Sequence, residues 1–233
     1  MAGNVKGLGM SYPVFIVCRD RLTCLVGLLD WLESVEQAGE VYLLDNDSSY
    51  PPLLEFYETT SHTVIRTGGN HGHKVGWTGG HIRRLADGRR FVYTDPDVLP
   101  VAECPPDALE RMAGVLDAAG AYKCGFSITL DGLAPWIEAR TLSWEQRYWT
   151  NWDGNVGAYR AAIDTTFALY NNPPVKRLRF RYSAFRLPPP YSIRHLPWHM
   201  TLADMEAPEE RYYVAHADPA VSNYSRDVLG ATA

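Results

Sequence analysis

Two carboxylates close the stretch FVYTDPDVLP: Asp95 and Asp97 flank Pro96, directly after the apolar run Phe91-Val92-Tyr93. A strand ending in paired acids can present both to one divalent cation, with the proline stiffening the turn and coordination positions left open for phosphate oxygens. A hard cation held this way clamps a diphosphate and favours its departure. Asp and Pro are also common turn residues, and a bare D-x-D recurs in many sequences. The pair takes its meaning from the elements that position it.

Arg19-Asp20-Arg21 and Asp45-Asn46-Asp47 likewise close apolar runs. PVFIVCR (13–19) reads as a buried strand, and LTCLVGLLDWLESVEQAG (22–39) as a helix with Leu25, Leu28, Leu29 and Leu32 on one face and Gly39 as its stop. EVYLLDNDSS (40–49) is a second strand running into an Asx-rich turn. PPLLEFYETT is a helix opened by proline, and HTVIRT (62–67) a third strand. WTGGHIRRLADG predicts a short helix, FVYT a fourth strand, PPDALERMAGVLDAAG a helix, and AYKCGFSI (121–128) a fifth strand. Strands alternating with helices predict an α/β fold with a mostly parallel sheet, right-handed crossovers and ligands at the carboxyl ends of the strands. All three polar clusters fall at such ends, which favours the metal reading of Asp95 and Asp97 over the turn reading.

Composition sets limits on the rest. A chain of 233 residues, 46% hydrophobic, can bury about 70% of its unfolded surface, so one domain over 1–233 is expected. A net charge of -5 with scattered Lys and Arg is not a surface built for a polyanion, so nucleic acid is not an expected partner. The four cysteines form no CxxC pair, which points to free thiols rather than a disulfide framework or zinc site. The first residues lack the apolar core of a signal peptide and no stretch is long enough for a transmembrane segment, so a cytoplasmic location is expected.

PVFIVCRDR with the helix after it, VYLLDNDSSYPPLLEFYE, and FVYTDPDVLP together resemble the nucleotide-sugar half of glycosyltransferases with the GT-A fold, close to the family 2 enzymes in the opening. The resemblance covers roughly residues 12–128. It implies a GT-A type Rossmann-like sandwich with a mostly parallel central sheet and a C-terminal acceptor-binding part over 129–214; the small, polar, unpatterned residues 215–233 read as a tail. It also implies a nucleoside diphosphate sugar donor, UDP- or GDP-linked, a divalent metal (Mn²⁺ or Mg²⁺), and an acceptor hydroxyl on a glycan, a lipid-linked sugar or a small molecule. Residue by residue, it sets Arg19 near the nucleotide and Asp45, Asn46 and Asp47 on base and ribose. Asp97 becomes the direct metal ligand, and Asp95 reaches the ribose or a metal-bound water. A histidine near the C-terminal end often completes the metal shell in this fold. His195 is the choice here, with His199 in reserve.

Other residues are read on their own chemistry. In TGGNHGHKVGW (67–77) the glycines let backbone approach a ligand, and Asn70, His73 and Lys74 can meet base or phosphate; a plain surface loop is equally compatible. Arg194 suits diphosphate oxygens. In the tryptophan-rich second half most aromatics serve packing, with Trp152 and Trp198 assigned to the acceptor, since aromatic faces suit sugar rings. The last hundred residues contain no Glu-Asp pair of the kind that often marks the base in family 2. Asp164, opening the β-prone segment after Ile163, is preferred for that role, with Asp153 competing and inversion or retention open. Two rivals stand beside the transferase. A sugar-1-phosphate nucleotidyltransferase needs a glycine-rich loop after the first strand, which CRDRLTC lacks; a non-catalytic carbohydrate-binding protein would bind glycan without metal-dependent nucleotide binding.

Overall fold

The computed structural model describes residues 10–137, 139–164, 166–172 and 183–217; the expected tail lies outside them from residue 218 onward. Strand β1 (Tyr12–Cys18) is buried at every position, as a strand covered on both faces requires. Helix α1 (Thr23–Glu33) buries Cys24, Leu25, Leu28, Leu29 and Leu32. Each such leucine stabilises the fold by about 1.5–3 kcal/mol. The helix stops at Glu33, well before Gly39, because the Ser34 amide and hydroxyl both donate to the Trp31 carbonyl and the chain tightens into a turn. Gly39 instead lies inside β2 (Ala38–Asp45), where a Cβ would sit 2.9 Å from the Tyr12 carbonyl oxygen.

Helix α2 (Pro51–Thr59) leads to β3 (Thr63–Arg66). The single helix expected around residue 80 is two short ones, α3 (Val75–Thr78) and α4 (His81–Ala86), because Gly80 takes a left-handed φ of 66° between them. Then come β4 (Phe91–Thr94), β5 (Val98–Pro100), α5 (Ala108–Ala119), β6 (Lys123–Gly125) and β7 (Ser127–Ile128). The strand expected over 121–128 is thus broken into two that join different sheets. The remaining elements are α6 (Ala139–Gln146), β8 (Trp152–Asp153), β9 (Ala158–Arg160), β10 (Phe167–Tyr170), β11 (Ala184–Arg186), β12 (Ser192–His195), α7 (Leu202–Met205) and α8 (Pro208–His216).

Among the described residues the main sheet has nine strands in the order β3-β2-β1-β4-β10-β6-β11-β9-β8. The first four run parallel; β10 enters antiparallel between β4 and β6, and β6 and β11 are again parallel. A three-stranded sheet, β5-β12-β7, stands beside it. Apolar side chains fill both faces of the main sheet. One cluster joins Leu25, Leu28, Leu109 and Met112 of α1 and α5 to β1, β4 and β10; the other joins Val75, Ile82 and Ile163 to Phe15, Tyr93 and Tyr170. The strand order reverses direction between β1 and β4, and the crevice at such a switch point is where α/β sheets take ligands. Arg19-Asp20-Arg21 and Asp95-Pro96-Asp97 follow those two strands.

Candidate active site

Asp97 is buried just past the end of β4, and its two oxygens have different surroundings. Oδ2 accepts from Arg21 Nη1 at 2.5 Å, while Oδ1 lies 3.8 Å from Nε2 of His195. The second sheet creates this meeting of residues almost a hundred positions apart: β12 pairs antiparallel with β5 so that His195 stands opposite Val98, and the Leu196 amide donates to the Asp97 carbonyl at 2.8 Å. Burial lowers the His195 pKa against the raising influence of Asp97, which keeps the imidazole neutral and able to coordinate. Its Nδ1 is buried without a hydrogen-bond partner among the described residues, and its ring packs edge-on at 5.0 Å from Trp198. Asp95 is half-buried in the same turn, which Thr94 fixes by donating to the Asp95 carbonyl at 2.9 Å and to the Thr166 carbonyl.

Arg21 owes its position to the other end of the chain. Glu210, on α8, grips it in two-pronged fashion, taking Nε at 3.0 Å and Nη2 at 2.8 Å, and the Tyr213 ring lies 3.9 Å beneath the guanidinium. Burial would lower the Arg21 pKa, but Asp97 and Glu210 together drive it higher, so its charge is fixed. The adjacent Glu209 accepts from the Leu22 and Thr23 amides at 2.9 and 3.1 Å, satisfying donors that α1 leaves open at its start. Cys24, Glu209 and Glu210 have potential ligand atoms within 4.8 Å of one another. Both carboxylates are spent on these contacts, and burial pushes the Cys24 thiol up to about 12, so this cluster is structural. Sequence reading missed Glu209 and Glu210, since two acids after Pro208 match an ordinary solvated helix start.

The remaining strand-end groups form the floor beside this centre. Asn46 is buried; its side-chain amide donates to Asn70 Oδ1 at 3.0 Å and its oxygen accepts from the His71 amide at 2.8 Å, so it shapes the loop after β3. Asp45 accepts from the Ser48 amide and from Arg66 Nη1 at 2.9 Å, the expected Asx turn with an added ion pair. Asp47 is exposed at a φ of 69°. Arg19 donates to the Asn46 and Asp47 carbonyls and to that of His216 at the end of α8. His73, Lys74 and Arg194 are exposed, and Asn70 Nδ2 is buried with no partner among the described residues.

Asp164 is exposed, precedes β10, and falls within electrostatic reach of His195, Lys123 and Glu145. Asp153 and Trp152 are not brought here. They belong to the outermost strand, five positions from β4 in the sheet, which is roughly 24 Å at normal strand spacing. Asp153 is engaged there by the Asn155 amide and by Arg160 at 3.0 Å, and Trp152 packs on Tyr159. The hairpin β8-β9 gives both a local role. His199 Nδ1 lies 3.1 Å from the Gly132 carbonyl.

No protein-family model matches the sequence, and no curated protein matches it. Solved structures do. The mannosyltransferase PcManGT from Pyrobaculum calidifontis, in complex with GDP-Man and Mn²⁺, aligns with 97% of this chain and 75% of its own at a TM-score of 0.50 and 14% identity. Mannosyl-3-phosphoglycerate synthase from Rubrobacter xylanophilus aligns with 70% of this chain and 54% of its own, at a TM-score of 0.42 and 16% identity. S. aureus TarS 1-349 in complex with UDP-GlcNAc aligns with 53% and 36%, at 0.39 and 17% identity. The sheet order, the switch point after β1 and β4, and the near full-length alignment to PcManGT establish a GT-A type fold for this chain.

Proposed function

We propose that this protein is a metal-dependent glycosyltransferase that moves a sugar from a nucleoside diphosphate donor to an acceptor hydroxyl. The meeting of Asp97 Oδ1 and a neutral His195 Nε2 at the switch point carries this reading. The pair fits a divalent ion: a carboxylate oxygen and a neutral imidazole nitrogen 3.8 Å apart could both face one cation and leave other positions for phosphate oxygens. Mn²⁺ or Mg²⁺ bound there would offset the charge of the departing diphosphate. Arg21 neutralises the second Asp97 oxygen and fixes the carboxylate's orientation. The loop held by Asn46 and Asn70 receives the base and ribose, with Arg19, Asp45 and Asp47 framing it and His73 and Lys74 at its rim. Asp95 serves the ribose, and Arg194 the phosphates.

Residues 12–128 thus form the donor half and 129–214 the acceptor half. Asp164 takes the acceptor proton or faces the developing positive charge on the sugar, because it is the exposed carboxylate coupled to His195 and no hydrogen bond or ion pair among the described residues engages it. Trp198, against His195, presents an aromatic wall to the acceptor. The direct test is release of nucleoside diphosphate from GDP-mannose, UDP-glucose and UDP-GlcNAc with Mn²⁺, followed chromatographically, water serving as acceptor. Turnover of one donor that EDTA abolishes and Asp164→Asn reduces by about 100-fold or more is expected. Absence of turnover, or turnover indifferent to EDTA, would contradict the reading.

A further inference from the structure

Lys123 occupies an unusual position for a lysine. It belongs to a sheet strand, and its ammonium is turned in toward Tyr170, donating to the Ile163 carbonyl and lying 3.4 Å from the Tyr170 hydroxyl. The ring of Tyr170 is 5.3 Å away. Among the described residues no carboxylate comes within ion-pair distance of it. Lys123 is partly buried, and drawing a cation out of water without an ion-pair partner costs stability, so chance placement is a poor account of it.

A second cation, fully buried, does the same thing one residue earlier. Arg186, on β11, donates from Nε to the Ala162 carbonyl at 2.7 Å; its other face is held by the Glu145 carboxylate on α6, and Tyr148 lies 4.2 Å from its guanidinium. The carbonyls of residues 162 and 163 are therefore both anchored by cations rooted in the sheet, and the next residue is Asp164. Among the described residues after Arg160 the chain is in no strand until Phe167. Two rigid strands thus set the position of a carboxylate that lies on an irregular stretch of chain.

We propose that Lys123, together with Arg186, is a positioning residue for Asp164, fixing the 162–163 backbone and supplying the local positive field in which the Asp164 carboxylate works. This rests on the acceptor-side role given to Asp164 above. The groups facing the Lys123 ammonium are Tyr170 from β10, Asp164 from the preceding segment, and Arg186 from β11, with Glu145 behind Arg186 and Tyr122 beside Tyr170. Burial lowers the Lys123 pKa to about 8, opposed by Asp164. A folded pKa below the unfolded one means that the charge costs stability below that pH, and that the cost is relieved as pH rises toward about 10.4.

The test uses the full chain and donor hydrolysis, read as released nucleoside diphosphate, for wild type, Lys123→Met, Lys123→Arg, Asp164→Asn and the Lys123→Met/Asp164→Asn double variant. Lys123→Met lowers kcat by about 10 to 100-fold with the donor KM unchanged, and Lys123→Arg recovers part of the rate. The double variant is no slower than Asp164→Asn, because Lys123 acts through Asp164. In thermal melts wild type gains stability relative to Lys123→Met between pH 7 and 10, as the buried charge is lost. A Lys123→Met rate within about twofold of wild type, or multiplicative losses in the double variant, would overturn the proposal. An insoluble Lys123→Met would overturn it too, by making the lysine a requirement for folding. If Asp164→Asn retains full turnover, the role of Asp164 itself fails, whatever Lys123→Met does.

Discussion

Glu210→Gln tests how far the candidate centre depends on the C-terminal helix. Glu210 supplies two charge-assisted contacts to Arg21 at 3.0 and 2.8 Å, and both partners are buried. Removing the charge leaves Arg21 sharing Asp97 alone. Breaking a buried pair by neutralising one partner costs 3–5 kcal/mol, and because glutamine keeps one acceptor we take the lower end, about 3 kcal/mol. For a chain of this size each kcal/mol moves the melting temperature by roughly 2–4 °C, so a fall of roughly 6–12 °C is expected. Glu209→Gln is the internal control. It loses a helix-cap charge on the Leu22 and Thr23 amides but leaves no buried cation behind, and costs about 1 kcal/mol, or roughly 2–4 °C. Differential scanning calorimetry at pH 7 separates the two. A Glu210→Gln melt no lower than that of Glu209→Gln would refute the reasoning, because Arg21 would then not depend on α8 for its charge balance.

Two further changes probe the frame. Gly125→Ala would put a methyl carbon 2.2 Å from the Phe167 carbonyl oxygen, so β6 and β10 must separate; a loss of about 3 kcal/mol in urea unfolding is expected, and a loss below about 1 kcal/mol would show that the strand crossing is looser than described. Asn46→Ala removes one of the two donors to Asn70 Oδ1 and the acceptor of the His71 amide at a cost of about 2 kcal/mol, and should strip His71 of hydrogen-exchange protection; unchanged protection would mean that the loop holds itself.

What could be read from the sequence was local. The apolar run of β1, the leucine stripe of α1 and the turn chemistry of DNDSS each depend on neighbours in the chain, and each formed where expected, within a few residues. Asp97 could be singled out as a candidate because a strand end followed by paired acids is a local pattern. Its environment was not. Arg21 and Glu210 are 189 positions apart, and nothing near either one shows that the fold will bury them together. Gly125 looked like one more residue of a strand, since what excludes a side chain there is the Phe167 carbonyl, which only tertiary pairing supplies. Asp153 and Trp152 looked suited to chemistry by type, yet a two-residue strand at the sheet edge takes them away from β4. Lys123 drew no attention because the inward turn of its ammonium onto the Ile163 carbonyl is invisible in a mixed segment such as AYKCGFSI.

The central claim is that Asp97 and His195 make a cation-dependent diphosphate site, and isothermal titration of GDP and UDP into the protein addresses it most directly. Binding of one nucleotide in Mn²⁺ or Mg²⁺ is expected, with its loss in EDTA and in Asp97→Ala and His195→Ala while the fold stays intact by circular dichroism. Binding that persists in EDTA, or in either variant, would contradict it, as would no binding of either nucleotide in the presence of metal.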